Sequence, residues 1–398
     1  MKYDFTTRVN RRGDGSAKWD GMYKKNPNVS SGVVPLSVAD MELLNPPEII
    51  QGLKAHLDKT VLGYTQPTPR YYEALIKWMK ERHNWDIREE WVLLAPGIVP
   101  AFFMAIKALT KPGEGVIVQP PVYYPFYSAI NNNNRKLVSN PLVRDEEKLC
   151  YRIDYDDLEA KAKDPNNKVL LFCSPHNPVG RVWTEEELRR VSEICLRNDV
   201  LMLSDEIHFD ILLPGFKHTV YSTLSEEAEQ NCIIFTAPSK TFNLAGMQVS
   251  NIVIPNADIR DKVRKEFLSN SIFMLGSLGI KACEIAYSQC GQWLDEFILL
   301  LNRNHNIVKN KFAEFIPQVK VYPLEGTYLQ WLDFRAFGLE AKALEEFMIN
   351  EAEWFTDEGI MFGEEGAGFE RINLACPTEL IEEALERLIK ALTARKLI

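Results

Sequence analysis

The sequence lacks a basic surplus, a long apolar run and any close pair of cysteines, and each absence excludes a class of function. Its formal net charge is −9, and its basic residues are scattered rather than gathered in a stripe. A phosphate backbone needs a basic face, so nucleic acid is excluded as the main partner. No stretch approaches the roughly 18 apolar residues that span a bilayer, so no membrane partner is expected. Met1 to Ser16 is polar, with no apolar core of a secretory signal. The seven cysteines (Cys150, Cys173, Cys195, Cys232, Cys283, Cys290, Cys376) are odd in number and contain no C-x-x-C pair. Several sit in apolar runs, where a reduced thiol packs as a small hydrophobe. A cytoplasmic protein with free thiols is expected. There are no internal repeats and no metal is called for. The one low-complexity tract, Asn131 to Asn134, reads as a turn ending a helix.

What is present is an ordinary globular composition, 46% hydrophobic and 25% charged. A length of 398 residues is too great for one simple core and implies about two domains. Residues 1–45 read as an arm with little regular structure that joins a smaller domain. Residues 46–288 form the larger domain. Pro46-Pro47 starts a helix from Glu48 to Asp58, and Arg70 to His83 is amphipathic, with Leu75, Trp78 and Met79 on one face. Strand and helix then alternate. The strands are Trp91 to Leu94, Gly115 to Val118, Val169 to Cys173, Val200 to Leu203 and Cys232 to Phe235. Pro100 to Leu109 is an apolar helix, and Thr184 to Asn198 is a helix opened by a Thr184/Glu187 capping box. These strands are continuous apolar runs, so both faces are covered. The expected fold is α/β, a mostly parallel central sheet with helices on both faces. Residues 289–398 read as a smaller α+β domain. It has a long helix from Gln292 to Phe315, alternating strands at Val319 to Tyr322 and Thr327 to Leu332, and a third strand from Phe369 to Asn373. Helices from Ala341 to Asn350 and Pro377 to Lys396 flank that third strand.

The polar residues follow the apolar runs. Gly97-Ile98-Val99 comes after the first strand, Tyr123 and Tyr124 after the second, and Asn177 after the third. Asp205 and His208 follow the fourth, and Ser239 and Lys240 the fifth. Ligands of open α/β sheets bind at the carboxyl ends of strands, so these five ends converge on one site. Taken singly, each has a plainer reading: a snorkelling lysine, a capping aspartate, a turn asparagine, two core tyrosines, a surface Arg371. Together they offer a lysine amine, a carboxylate for a protonated ring nitrogen, an amide for a phenolate and an aromatic face. A glycine-led helix start suits a phosphate, and an arginine fork suits a carboxylate. That set is what pyridoxal 5′-phosphate requires.

The motifs carry a family resemblance over nearly the whole chain. They include Lys18-Trp-Asp20, Asp40-Met41, Gly63-Tyr64, Ser174-Pro-His-Asn-Pro-Val-Gly180, Ser204-Asp-Glu-Ile-His208, Ala237-Pro-Ser-Lys-Thr-Phe-Asn-Leu-Ala-Gly246, Glu325-Gly-Thr-Tyr328 and Phe369 to Pro377. The chain resembles fold-type I pyridoxal-phosphate enzymes of the class I/II aminotransferase superfamily, and in particular the cystathionine β-lyase, or C–S lyase, branch of the cystalysin type. The resemblance implies Lys240 as the cofactor lysine, Asp205 on the ring nitrogen, Asn177 on the ring hydroxyl and Tyr123 against the ring. It implies Gly97, Ile98, Val99, Ser239 and His208 about the cofactor, and Tyr64 donated to the neighbouring subunit of a homodimer. It implies Arg371, with Asn177 and Tyr124, on an amino-acid substrate. Lys240, Tyr123 and Tyr124 are the implied proton carriers. Two departures tilt the reading from amino transfer to elimination: Gln248 replaces the usual arginine eight residues after the lysine, and His208 the usual tyrosine three after the aspartate. The implied activity is β-elimination from cysteine S-conjugates such as cystathionine, to a thiol, pyruvate and ammonia. An aminotransferase and a regulatory binding protein of the same fold are the alternatives.

Overall fold

A computed structural model describes residues 2–398. Thirteen strands occur among them: β1 Val92–Ala95, β2 Gly115–Val118, β3 Lys136–Ser139, β4 Val143–Asp145, β5 Cys150–Arg152, β6 Asn167–Cys173, β7 Leu201–Asp205, β8 Cys232–Thr236, β9 Ser250–Val253, β10 Lys320–Val321, β11 Leu329–Asp333, β12 Asp357–Glu358 and β13 Phe369–Asn373. Seven form one sheet in the order β1-β9-β8-β7-β6-β2-β3. The pairs from β8 through β7, β6 and β2 to β3 are parallel, whereas β9 runs antiparallel to both its neighbours.

The apolar runs split by the two-residue period of a strand. Val116, Val118, Val169, Leu171, Leu203, Ile233 and Phe235 enter one core, with helices Ile98–Leu109, Pro125–Asn132 and Ala257–Ser269. Ile117, Leu170, Phe172, Met202, Cys232 and Ile234 enter the other, with helices Pro69–His83, Glu185–Arg197 and Ser277–Gln289. The expected α/β architecture is present, and the capping box at Thr184 forms as read. β10, β11, β13 and β12 build a separate antiparallel sheet. No helix is long and apolar enough to cross a membrane among the described residues.

Three local expectations are corrected. The arm, read as having little regular structure, contains a helix, Ala17–Lys25, which buries Lys18, Trp19 and Met22. The helix expected from Pro100 begins at Ile98, because a proline in the first turn removes only an N–H that has no helical partner. The short strand β12 and the β4–β5 ribbon lie outside the expected elements, since two- and three-residue strands leave no period to read.

Candidate active site

The site follows from sheet direction. Cys173 pairs with Asp205 and Asp205 with Phe235, so β6, β7 and β8 end side by side. On β9, Ser250 opposes Ala95 and Asn251 opposes Thr236. The antiparallel β9 therefore brings the end of β1, with Gly97, to the same edge as the end of β8, with Lys240. A cavity of about 250 Å³ opens there. Lys240, Asp205, Asn177, Tyr123, His208, Ser239, Gly97, Ile98 and Val99 all line it.

Each group is tuned by its surroundings. Lys240 lies in a four-residue helical turn, Pro238–Thr241, just after β8. Its Nζ donates to the Ala39 carbonyl at 2.8 Å. Burial, reinforced by the Arg371 charge, lowers its ammonium to about 8. The Asp205 carboxylate accepts only the Ile207 N–H, at 3.2 Å. Burial pushes its carboxyl up to about 7, against the pull of that N–H and of Lys240. Burial, with Lys240 and Arg371 nearby, depresses His208 well below the usual imidazole range, so its ring is neutral. Burial raises both Tyr123 and Tyr124, which keeps both phenols protonated. Gly97 has φ +142°, where other residues strain, and it opens the helix Ile98–Leu109 toward the cavity.

Arg371 is buried in β13 and joins the site through Asn177, donating Nη1–H to its Oδ1 at 2.7 Å. Nη2 donates to Asp357, and Nε has no partner. Tyr124 is 38% exposed, with its ring 5.5 Å from that of Tyr123, and it is not among the cavity-lining residues. Tyr64 is 97% exposed on a loop and is likewise not a lining residue. Two functional groups escaped the sequence reading. Ala39 offers only a carbonyl, for which a sequence has no signal beyond the adjacent Asp40-Met41 motif. Asp357 holds Arg371 and also accepts the Val38 N–H at 2.7 Å. Val38 has φ +58°, a strained conformation for a β-branched residue, and strain of that kind concentrates at functional sites.

Comparison with known proteins supplies the context. The family model described as aminotransferase class I and II matches residues 31–388. Cystathionine beta-lyase PatB of Bacillus subtilis is 38% identical over 98% of this chain and 100% of its own. Cystalysin from Treponema denticola, whose crystal structure contains pyridoxal 5′-phosphate, is 53% identical, with a TM-score of 0.98 over 99% of this chain and 100% of that one. The pyridoxal-phosphate-bound C–S lyase from Staphylococcus hominis is 28% identical, with a TM-score of 0.90 over 98% of both chains.

Proposed function

We propose that this chain, which belongs to the aminotransferase class I and II family and is a pyridoxal-phosphate-dependent carbon–sulfur lyase, takes cystathionine or a related cysteine S-conjugate and releases thiol, pyruvate and ammonia. The observation that carries the reading is the meeting of a partly neutral Lys240 and a cation-starved Asp205 about one cavity, with an incompletely paired Arg371 joined to its lining through Asn177. The cofactor fits this donor set. Asp205 is 2% exposed with a single backbone donor, a costly arrangement that a protonated ring nitrogen would satisfy. The first-turn N–H groups at Ile98 and Val99, with the Ser239 hydroxyl, suit a phosphate without an arginine. When bound, pyridoxal phosphate supplies an aldehyde for the substrate amine and a ring that accepts the electron pair left at Cα.

The side chains do the rest. Asp205 would keep a proton on the ring nitrogen. Asn177 would donate to the ring hydroxyl, and Tyr123 and the neutral His208, which line the same cavity, would hold the ring. Arg371, with Nε free, holds the substrate α-carboxylate by charge-assisted hydrogen bonds, helped by Asn177 and Tyr124. Lys240 Nζ takes the proton from Cα. With its ammonium at about 8, the neutral amine is accessible near physiological pH. The Cβ–S bond breaks with both electrons leaving on sulfur. That sulfur takes a proton from Lys240 or from Tyr123 or Tyr124, both still protonated, and the 2-aminoacrylate left behind takes up one water to give pyruvate and ammonia.

The chain divides into an arm of residues 1–45, a large domain of 46–288 and a small one of 289–398. The seven-stranded sheet within 92–253 and the four-stranded sheet within 320–373 support that division. The molecule works as a homodimer in which Tyr64 reaches the neighbour's phosphate, a role suited to its 97% exposure. Sedimentation of the wild type, with cofactor affinity of Tyr64→Phe, tests both points. Seven free thiols support a reducing cytoplasm. The activity is tested by supplying cystathionine without any keto acid and assaying pyruvate. Pyruvate release is expected. Its absence, with glutamate formed once 2-oxoglutarate is added, would make the chain an aminotransferase, and silence in both would leave a binding role.

A further inference from the structure

Next to Lys240, outside the cavity lining, lies a second buried polar cluster. Asp210 sits five residues beyond Asp205, with its side chain fully buried. Its Oδ2 accepts the Thr241 hydroxyl at 2.7 Å. Its Oδ1 accepts the Trp78 indole N–H at 3.0 Å and lies 2.7 Å from His83 Nε2. The His83 ring is in turn stacked flat on Phe209, centroids 3.9 Å apart at 5°. Trp78 and His83 both belong to the helix Pro69–His83. None of these residues lines the cofactor cavity.

Thr241 is the residue next to Lys240. The turn that carries them is four residues long, too short for its own backbone bonds to fix its orientation. Its own side chains make two tethers, beside the Asn45 amide that donates to the Phe242 and Asn243 carbonyls just after it. Lys240 Nζ reaches the Ala39 carbonyl, and Thr241 Oγ1 reaches Asp210. The first must release when the amine reacts, which leaves the second as the side-chain tether on the turn itself.

We propose that Asp210 is a positioning residue for Lys240, acting through Thr241, with Trp78 and His83 fixing its carboxylate. The outer helix Pro69–His83 thereby becomes a support of the reacting amine. A carboxylate suits the task because three donors from two directions need an acceptor-only group. A displacement of the amine by a fraction of an ångström is enough to slow proton transfer without touching substrate binding.

The proposal rests on Lys240 as the cofactor lysine, so Lys240→Ala is measured beside the test variants. Thr241→Val in the holoenzyme removes the hydroxyl at nearly constant volume. It is expected to lower kcat about tenfold, leave KM for cystathionine within about twofold, and shift the visible absorbance maximum of the lysine-bound cofactor. Thr241→Ser, which keeps the hydroxyl, is expected to restore all three. Wild-type kcat and absorbance in Thr241→Val would overturn the proposal, as would failure of Thr241→Ser to rescue. If Thr241→Val does not fold, Asp210→Asn is read by the same measurements, and an unchanged kcat and absorbance there overturns it equally. Lys240→Ala that keeps its visible absorbance would overturn the cofactor reading itself. Lys240→Ala that loses it, beside a wild-type-like Thr241→Val, overturns the positioning role alone.

Discussion

Asp205 and Asp210 leave the same strand end five residues apart, and their surroundings are opposite. Asp205 faces the cavity, with one backbone donor and, among the described residues, no ion-pair partner. Asp210 faces the helices and is met by Trp78, His83 and Thr241. Two buried arginines repeat the contrast. Arg181 is met by Glu325 and Glu187, each at 2.9 Å, and by the Tyr151 carbonyl. Arg371 holds Asn177 and Asp357 and leaves Nε without a partner. Both pairs consist of the same residue type at similar depth. The member whose needs are met inside the chain holds the chain together, and the member left short keeps capacity for a ligand, as proposed above.

That contrast can be broken or sharpened by mutation. The largest effect belongs to Lys240→Ala, expected to lower pyruvate release from cystathionine by about a thousandfold or more; a variant within tenfold of wild type would dissolve the site. Next is the arginine on the satisfied side. Arg181→Ala removes the cation between two half-buried carboxylates and is expected to cost about 2 kcal/mol in urea unfolding, with KM unchanged. Arg371→Ala should do the reverse, raising KM about a hundredfold for amino-acid substrates while thermal stability moves less. Equal effects of the two on KM would erase the distinction.

The smallest effect comes from the aspartates and shows only in the cofactor-free protein. Because Asp205 titrates at about 7 in the fold instead of 3.8, the folded state binds more protons than the unfolded one between those values. Stability should therefore fall as pH rises through that window. Asp205→Asn should flatten the slope and leave the cofactor-free protein more stable at pH 8 by roughly 2 kcal/mol. Parallel urea curves for wild type and variant at pH 5 and pH 8 would contradict this.

Much of the site was legible because chemistry and position coincide. Lys240, Asp205, Asn177 and Tyr123 each follow an apolar run, and a parallel sheet gathers such residues at one edge. Asp210 was as visible as Asp205 and carried no mark of its different role, because its partners Trp78 and His83 lie more than a hundred residues away. Asp357 sits on a two-residue strand with no periodicity. The arm helix was hidden in a short stretch marked only by the Trp19 and Met22 spacing and by Asp20 and Lys24-Lys25 at its two ends.

The sequence by itself determined the five strands that carry the site residues, the covering of both sheet faces and the residue types that meet at the strand ends, because burial imposes periodicity and polar residues must surface where runs stop. Only the tertiary structure decided the rest. The antiparallel β9 brings Gly97 to Lys240, the Ala39 carbonyl receives the amine, and Asp205 is left short of donors while Asp210 is supplied. Whether a buried polar group is satisfied depends on partners brought in by folding from distant parts of the chain, and no local pattern records their arrival.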